Sequence, residues 1–117
     1  MSSSLAHSVR ITNAKEFAHV FKKGLHSQGK FWKIVANNSG NGFSRLGLAI
    51  SKKEYKRAVD RNLFKRLARE TFRNNQNSLG RLDFVVMAKN SKFKNNNELT
   101  LDLITLMKNA KTKAKTQ

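Results

Sequence analysis

Cysteine and proline are both absent from this 117-residue chain, and only 7 residues are acidic. Without cysteine there is no disulfide and no thiolate metal site, a composition that suits a reducing cytoplasm. Long hydrophobic runs are missing too. The longest aliphatic stretch, Phe84 to Ala88, falls far short of the roughly 20 residues needed to span a bilayer. The N-terminal segment "MSSSLAHSVRITNAKEF" has no basic region ahead of an apolar run, so it does not read as a secretory signal.

Positive charge is abundant. There are 24 Lys and Arg residues against those 7 acids, a net charge of +17. Self-repulsion at that charge disfavours a compact state, so an anionic partner is expected. Nucleic acid and anionic membrane are the candidates, and the lack of an apolar segment favours the first. A cytoplasmic polyanion binder with no membrane association is therefore the expectation. The length fits a single domain, and 38% hydrophobic content with eight Phe, one Trp and one Tyr can cover a small sheet.

The ends, "MSSSLAHS" and "NAKTKAKTQ", have little to bury and read as flexible, which leaves an ordered body of about residues 9–110 within one domain spanning 1–117. Asn13 followed by Glu16 resembles a capping box, and Gly24 supplies a stop, so 14–23 is predicted to be helical with Phe17, Val20 and Phe21 along one face. Residues 30–36, 45–51 and 82–88 read as strands, with 37–42 as a turn and a short extra strand near Val9 to Thr12. Asn97 with Glu98 is expected to cap a last helix, in which Leu99, Leu103, Leu106 and Ala110 recur at helical spacing. The predicted order α-β-β-α-β-α is that of an α+β layer fold, a small sheet covered by helices.

Most of the charge gathers in "SKKEYKRAVDRNLFKRLARETFR", Ser51 to Arg73, with nine basic residues against Glu54, Asp60 and Glu70. On a helix over 57–74, Arg57, Arg61, Lys65, Arg69 and Arg73 form one i, i+4 row, with Asn62 and Arg66 beside it. Val59, Leu63, Phe64 and Leu67 fall on the other side, and the result is an amphipathic helix. A merely solvated face would alternate acids and bases. Here like charges repeat at i, i+4, each pair costing a few tenths of a kcal/mol. Guanidinium forks bind phosphate bidentately, and Asn62 adds an amide for a base edge or a 2′-hydroxyl, so phosphate-rich RNA or DNA is the natural partner.

This segment resembles the signature of the bacterial ribonuclease P protein subunit: S-K-K, three or four residues, then A-V-x-R-N-x-x-K-R-x-x-R-E-x-F-R. Ser51, Lys52, Lys53, Ala58, Val59, Arg61, Asn62, Lys65, Arg66, Arg69, Glu70, Phe72 and Arg73 match it. The likeness extends to "EFAHVFKKG", "RLGLAIS" and "LDFVVMAK", over roughly residues 10–107. It implies a small α/β sandwich with a left-handed β-α-β crossover, where physical reasoning alone expects a right-handed one. It further implies that the Arg-Asn helix binds the catalytic RNA subunit, through Arg57, Arg61, Asn62, Lys65, Arg66, Arg69 and Arg73 with Lys52 and Lys53 at the edge. A cleft between the sheet and the first helix would take the single-stranded 5′ leader of precursor tRNA. The residues matching it are Phe17 and Phe21, with Phe31, Trp32 and Lys33 from the following strand. The sequence departs from the family at Leu63, where arginine is usual, and at Phe64, where the family has an aliphatic residue.

No zinc spacing, phosphate loop or nucleophile motif is present, and His7, His19 and His26 read as surface residues. By resemblance the chemistry is endonucleolytic phosphodiester hydrolysis with Mg2+ held by the RNA subunit and substrate, and no protein partner is implied. The rival reading is a general structural-RNA-binding or ribosomal-type protein without a role in catalysis. Core packing is the competing role for Phe17 and Phe21.

Overall fold

The computed structural model describes residues 10–38, 43–50, 55–89 and 95–115. Its elements are α1 (Ala14–Lys23), β1 (Leu25–Gln28), β2 (Trp32–Asn38), β3 (Arg45–Leu48), α2 (Ala58–Asn75), β4 (Leu82–Ala88) and α3 (Asn96–Lys115), with a 3-10 turn at Gln76–Ser78. The strands form one mixed sheet in the order β1-β2-β4-β3. β1, β2 and β4 pair antiparallel, and β3 lies parallel to β4, as the intervening α2 crossover allows.

Side-chain alternation then divides the core. Trp32, Ile34, Phe84, Val86 and Leu46 face α2 and α3, where Phe64, Phe72, Leu99, Leu103 and Met107 close over them. Trp32 meets Phe64 edge-on at 5.1 Å between centroids, a geometry worth about 0.5–1.5 kcal/mol beyond burial. Val35 and Val85 point to the opposite face and meet Val20 and Phe17 of α1 beside Ile11. Gly47 makes this second layer thin. A Cβ there would lie 2.9 Å from Phe17 Cζ, so only glycine lets the ring rest on the sheet.

Several predicted boundaries move, among them the end of the strand expected at 45–51, which stops at Leu48. The strand expected at 30–36 begins at Trp32, because Lys30 and Phe31 belong to the β1–β2 turn, whose amides donate to the Asp102 carboxylate of α3. Asn37 and Asn38, expected in a turn, remain in β2 opposite Asp83 and Leu82. Asn95, rather than Asn97, caps α3 by accepting from the Glu98 amide at 2.9 Å. The helix then runs on to Lys115, through a segment expected to be flexible, because Ala110 is buried and Leu106 and Met107 hold its middle against the sheet. β1 escapes the sequence reading altogether; its four residues alternate between half-buried and exposed and carry little apolar signal.

At the start of α1 the Asn13 side chain accepts from the Lys15 amide at 2.7 Å, while Glu16 leaves the capping box to pair with Arg45. Gly24 does end α1, but with an ordinary φ of −84°. Space is the reason for glycine here, since a Cβ would sit 2.6 Å from both Val20 O and Val35 Cγ1. The expected extra strand near Val9 to Thr12 is a single parallel bridge, Arg10 to Leu46.

Candidate nucleic-acid interface

Helix α2 packs Phe64, Leu67, Ala68, Thr71 and Phe72 inward and turns its basic side away from the sheet. The polar side chains of this face do not behave alike. Asn62 and Arg66 are exposed, whereas Arg61, Lys65, Arg69 and Arg73 are half-buried along the flank. Arg61 Nη1 donates to the carbonyls of Tyr55 and Lys56, at 2.9 and 2.7 Å, and so ties down the chain entering α2. Arg57, exposed at the helix N-cap, lies 3.9 Å from Asp60. Lys65 and Arg69 reach across the edge of the sheet and share a groove of about 360 Å³ with Arg10, Phe17, Leu46 and Leu48.

One assignment on this helix changes. Val59 was expected on the apolar side and is 58% exposed. With half-buried Leu63 it borders a shallow hollow that Asn62, Arg66 and Arg69 complete. Lys52 and Lys53 lie outside the described residues.

The acids explain why this face stays cationic. Arg45 holds Asp83 through a fork, Nε–Oδ1 at 2.9 Å and Nη2–Oδ2 at 2.8 Å, and its third nitrogen meets Glu16 at 2.5 Å. The hydrogen bonds to Asp83 push the guanidinium pKa further up, so Arg45 is charged at any working pH. Asp102 is spent on the two turn amides, and Glu98 stands in the first turn of α3. Four of the seven acids thus serve the fold away from α2. Among the described residues no three His or acidic side chains gather to hold a metal ion. No helix among them is long and apolar enough to cross a membrane.

On the α1 face of the sheet the predicted cleft residues separate. Phe17 lies half-buried against Gly47 at the floor of the groove shared with Lys65 and Arg69. Phe21, one turn on, is 36% exposed. Lys33 is exposed on the same face, in a hollow of about 260 Å³ with His26, Gln28 and Met87. Trp32 is a correction. It is fully buried on the opposite face, where its indole N–H donates to Leu99 O at 2.8 Å. Phe31 is the other, for its ring joins the large core beneath α3 and its amide is held by Asp102. One residue of strand register separates the two faces, which is why Lys33 and not Trp32 reaches the cleft.

Sequence reasoning missed two contributors. Arg10 enters the α2 groove through its bridge to Leu46. His26 stands beside Phe21, with ring centroids 6.2 Å apart, and its Nε2–H donates to the Phe21 carbonyl at 2.9 Å. A strand at 25–28, read with period two, would have put His26 and Lys33 on one face.

Comparison with known proteins decides what kind of molecule carries these surfaces. The family model for ribonuclease P matches residues 5–111. The chain belongs to the ribonuclease P protein family. The ribonuclease P protein component of Vesicomyosocius okutanii is 43% identical over 108 residues, 92% of this chain and 96% of that one. The component from Vibrio campbellii is 46% identical over 83 residues, 71% and 70% of the two chains. Among solved structures, a Staphylococcus aureus RNase P protein mutant with defective mRNA degradation activity superposes with a TM-score of 0.83 at 28% identity, covering 89% of each chain. The Thermotoga maritima RNase P protein gives 0.76 at 26% identity over 86% of this chain and 96% of that one. A ribonuclease P protein acts in a ribonucleoprotein with ribonuclease P RNA, in tRNA processing.

Proposed function

We propose that α2 binds the catalytic RNA subunit of ribonuclease P, and that the α1 face of the sheet, with the groove it shares with Lys65 and Arg69, receives the single-stranded 5′ leader of precursor tRNA. The observation that carries this reading is the groove in which Arg10, Lys65 and Arg69 surround the ring of Phe17. Cations track a phosphate backbone, and an aromatic ring stacks on a base whatever its identity, which is how single strands are held. Asn62 and Arg66, exposed on α2, present an amide and a guanidinium to folded RNA. Phe21, His26 and Lys33 continue the cationic and aromatic track along the sheet.

In this reading the protein performs no bond-breaking step. It neutralises phosphate charge, holds the leader and positions the substrate on the RNA, within the cytoplasm. The Mg2+ ions that support endonucleolytic hydrolysis would be held by RNA and substrate. The test is magnesium-dependent cleavage of precursor tRNA by the cognate catalytic RNA, with and without this chain. At physiological salt the protein should lower the substrate concentration needed for cleavage, and by more for precursors with leaders long enough to enter the cleft. If it binds the RNA yet leaves cleavage unchanged for every leader length, it acts as a general structural-RNA-binding protein instead.

A further inference from the structure

We propose that the end of the molecule where α1 and α3 finish is a second RNA-contact surface, separate from α2 and from the leader cleft. It rests on the reading that this chain works bound to ribonuclease P RNA. Lys23 in the last turn of α1 and Ala110 of α3 line one recess of about 80 Å³, together with Asn37, Asn38 and Leu82. Around it Lys22, Lys23 and Lys108 are exposed and Lys111 is half-buried. No carboxylate lines the recess. The nearest acid by strand register, Asp83 opposite Asn37, is held by Arg45.

Lysines at the end of a helix complement its dipole, and that effect fades within the last turn. It covers Lys22 and Lys23. It does not cover Lys108, which lies about two turns before the helix ends at Lys115. Phosphate is the better match for a cluster that repels itself. The recess adds the Asn37 and Asn38 side chains, which can donate to a phosphate or bond a 2′-hydroxyl. An anionic lipid surface fits less well, because, of the recess's apolar residues, Ala36, Leu82 and Ala110 are buried and Leu25 is half-buried, which leaves no exposed large apolar side chain to insert.

Position separates this surface from α2. Helix α3 rests on β1 and β2, whereas α2 rests on β3 at the far edge of the sheet. From β1 to β3 is three strand spacings, roughly 14 Å. The recess lies at the Asn38 and Leu82 end of the central strands, between α1 and α3, while α2 rests on the β3 edge, so the two patches take different segments of the folded RNA.

The experiment compares the salt dependence of binding to ribonuclease P RNA for the wild-type chain and a variant carrying Lys22→Gln, Lys23→Gln, Lys108→Gln and Lys111→Gln. Loss of about three phosphate contacts should make the slope of log K against log salt shallower by about 2–3. A control with Lys15→Gln and Lys30→Gln, both exposed and outside the two surfaces, measures the effect of net charge alone. Circular dichroism melts establish that each variant is folded. If the four-lysine variant moves the slope no more per charge than the control does, the second surface is refuted. Arg66→Ala, measured in parallel, reports separately on α2, so the two readings fail independently.

The absence of native cysteine provides a second readout. A hydroxyl-radical source tethered to Asn109→Cys should cut RNA segments that a source on Ala58→Cys leaves intact. Cleavage from position 109 that is absent, or identical to that from position 58, overturns the proposal.

Discussion

Truncating Phe21 to alanine tests the leader cleft at the one aromatic ring where binding and folding are best separated. Phe21 is 36% exposed and belongs to neither buried cluster; its described ring contact is with His26. Full burial of a phenylalanine stabilises by roughly 1.5–3 kcal/mol, so partial burial puts the folding loss of Phe21→Ala at about 1–2 kcal/mol. A core phenylalanine would cost about 3–5 kcal/mol. A lost stacking contact removes about 1–3 kcal/mol of binding, or roughly five- to 150-fold in affinity. The assay is paired: melting temperature beside the affinities of the reconstituted holoenzyme for precursor and for mature tRNA. The expected result is a modest drop in melting temperature, a loss of tenfold or more for precursor, and almost none for mature tRNA, which has no leader. An unchanged affinity ratio would refute the cleft assignment, because a ring that holds the leader cannot weaken both ligands equally. Phe17 is the less clean probe, since it also packs on Gly47 and the α1-side core.

On α2, Arg66→Ala should weaken RNA binding by roughly 1.5–3 kcal/mol with little change in melting temperature, because its side chain is exposed. Arg61→Ala should lower both, since it also releases the Tyr55 and Lys56 carbonyls; equal melting temperatures for the two variants would contradict that bracing role. Leu63→Arg restores the residue usual in the family at a half-buried site where the stem can stay packed, so RNA affinity should rise at low salt and the salt slope steepen by about 0.7–0.9. An unchanged slope would place residue 63 outside the RNA contact. Asp83→Ala leaves Arg45 largely buried with Glu16 alone, a loss of about 3 kcal/mol in chemical denaturation. The Arg45 pKa is raised in the fold, so its contribution is fully present below the unfolded value and is lost only as pH rises through the folded one. It should be constant from about pH 5 to 9, and a contribution that falls between those limits would contradict the pairing.

Helical elements were the legible part of this sequence, and the reason is periodic burial. Helix α2 repeats its apolar positions over five turns, so no tertiary information was needed to find it. The start and facing of the second strand were illegible because its register is set from a distance. Asp102, some seventy residues away, fixes the Lys30 and Phe31 amides and so decides that Trp32 opens β2 facing α3. β1 has no apolar alternation to reveal it and exists because β2 offers an edge. In the same way the lysine-rich end of α3 lacks an amphipathic pattern of its own. It is helical because the turns before it are anchored by Leu103, Met107 and Ala110.

The candidate site was legible in composition and only partly in geometry. An i, i+4 row of cations is a statement about Cβ directions, and α2 sets most of that row half-buried along its flank, with Arg57 exposed at the start. Which of those cations faces a partner depends on acceptors that the row does not contain. Arg61 finds two backbone carbonyls and becomes a brace, while Lys65 and Arg69 lean over the edge strand and meet Phe17 from another helix. That meeting depends on Gly47, where any side chain would lift the ring off the sheet and away from the two cations. A glycine in a strand and a basic row on a helix are separate signals in the sequence. They become one groove only because β3 lies at the sheet edge, with α1 beneath it and α2 above.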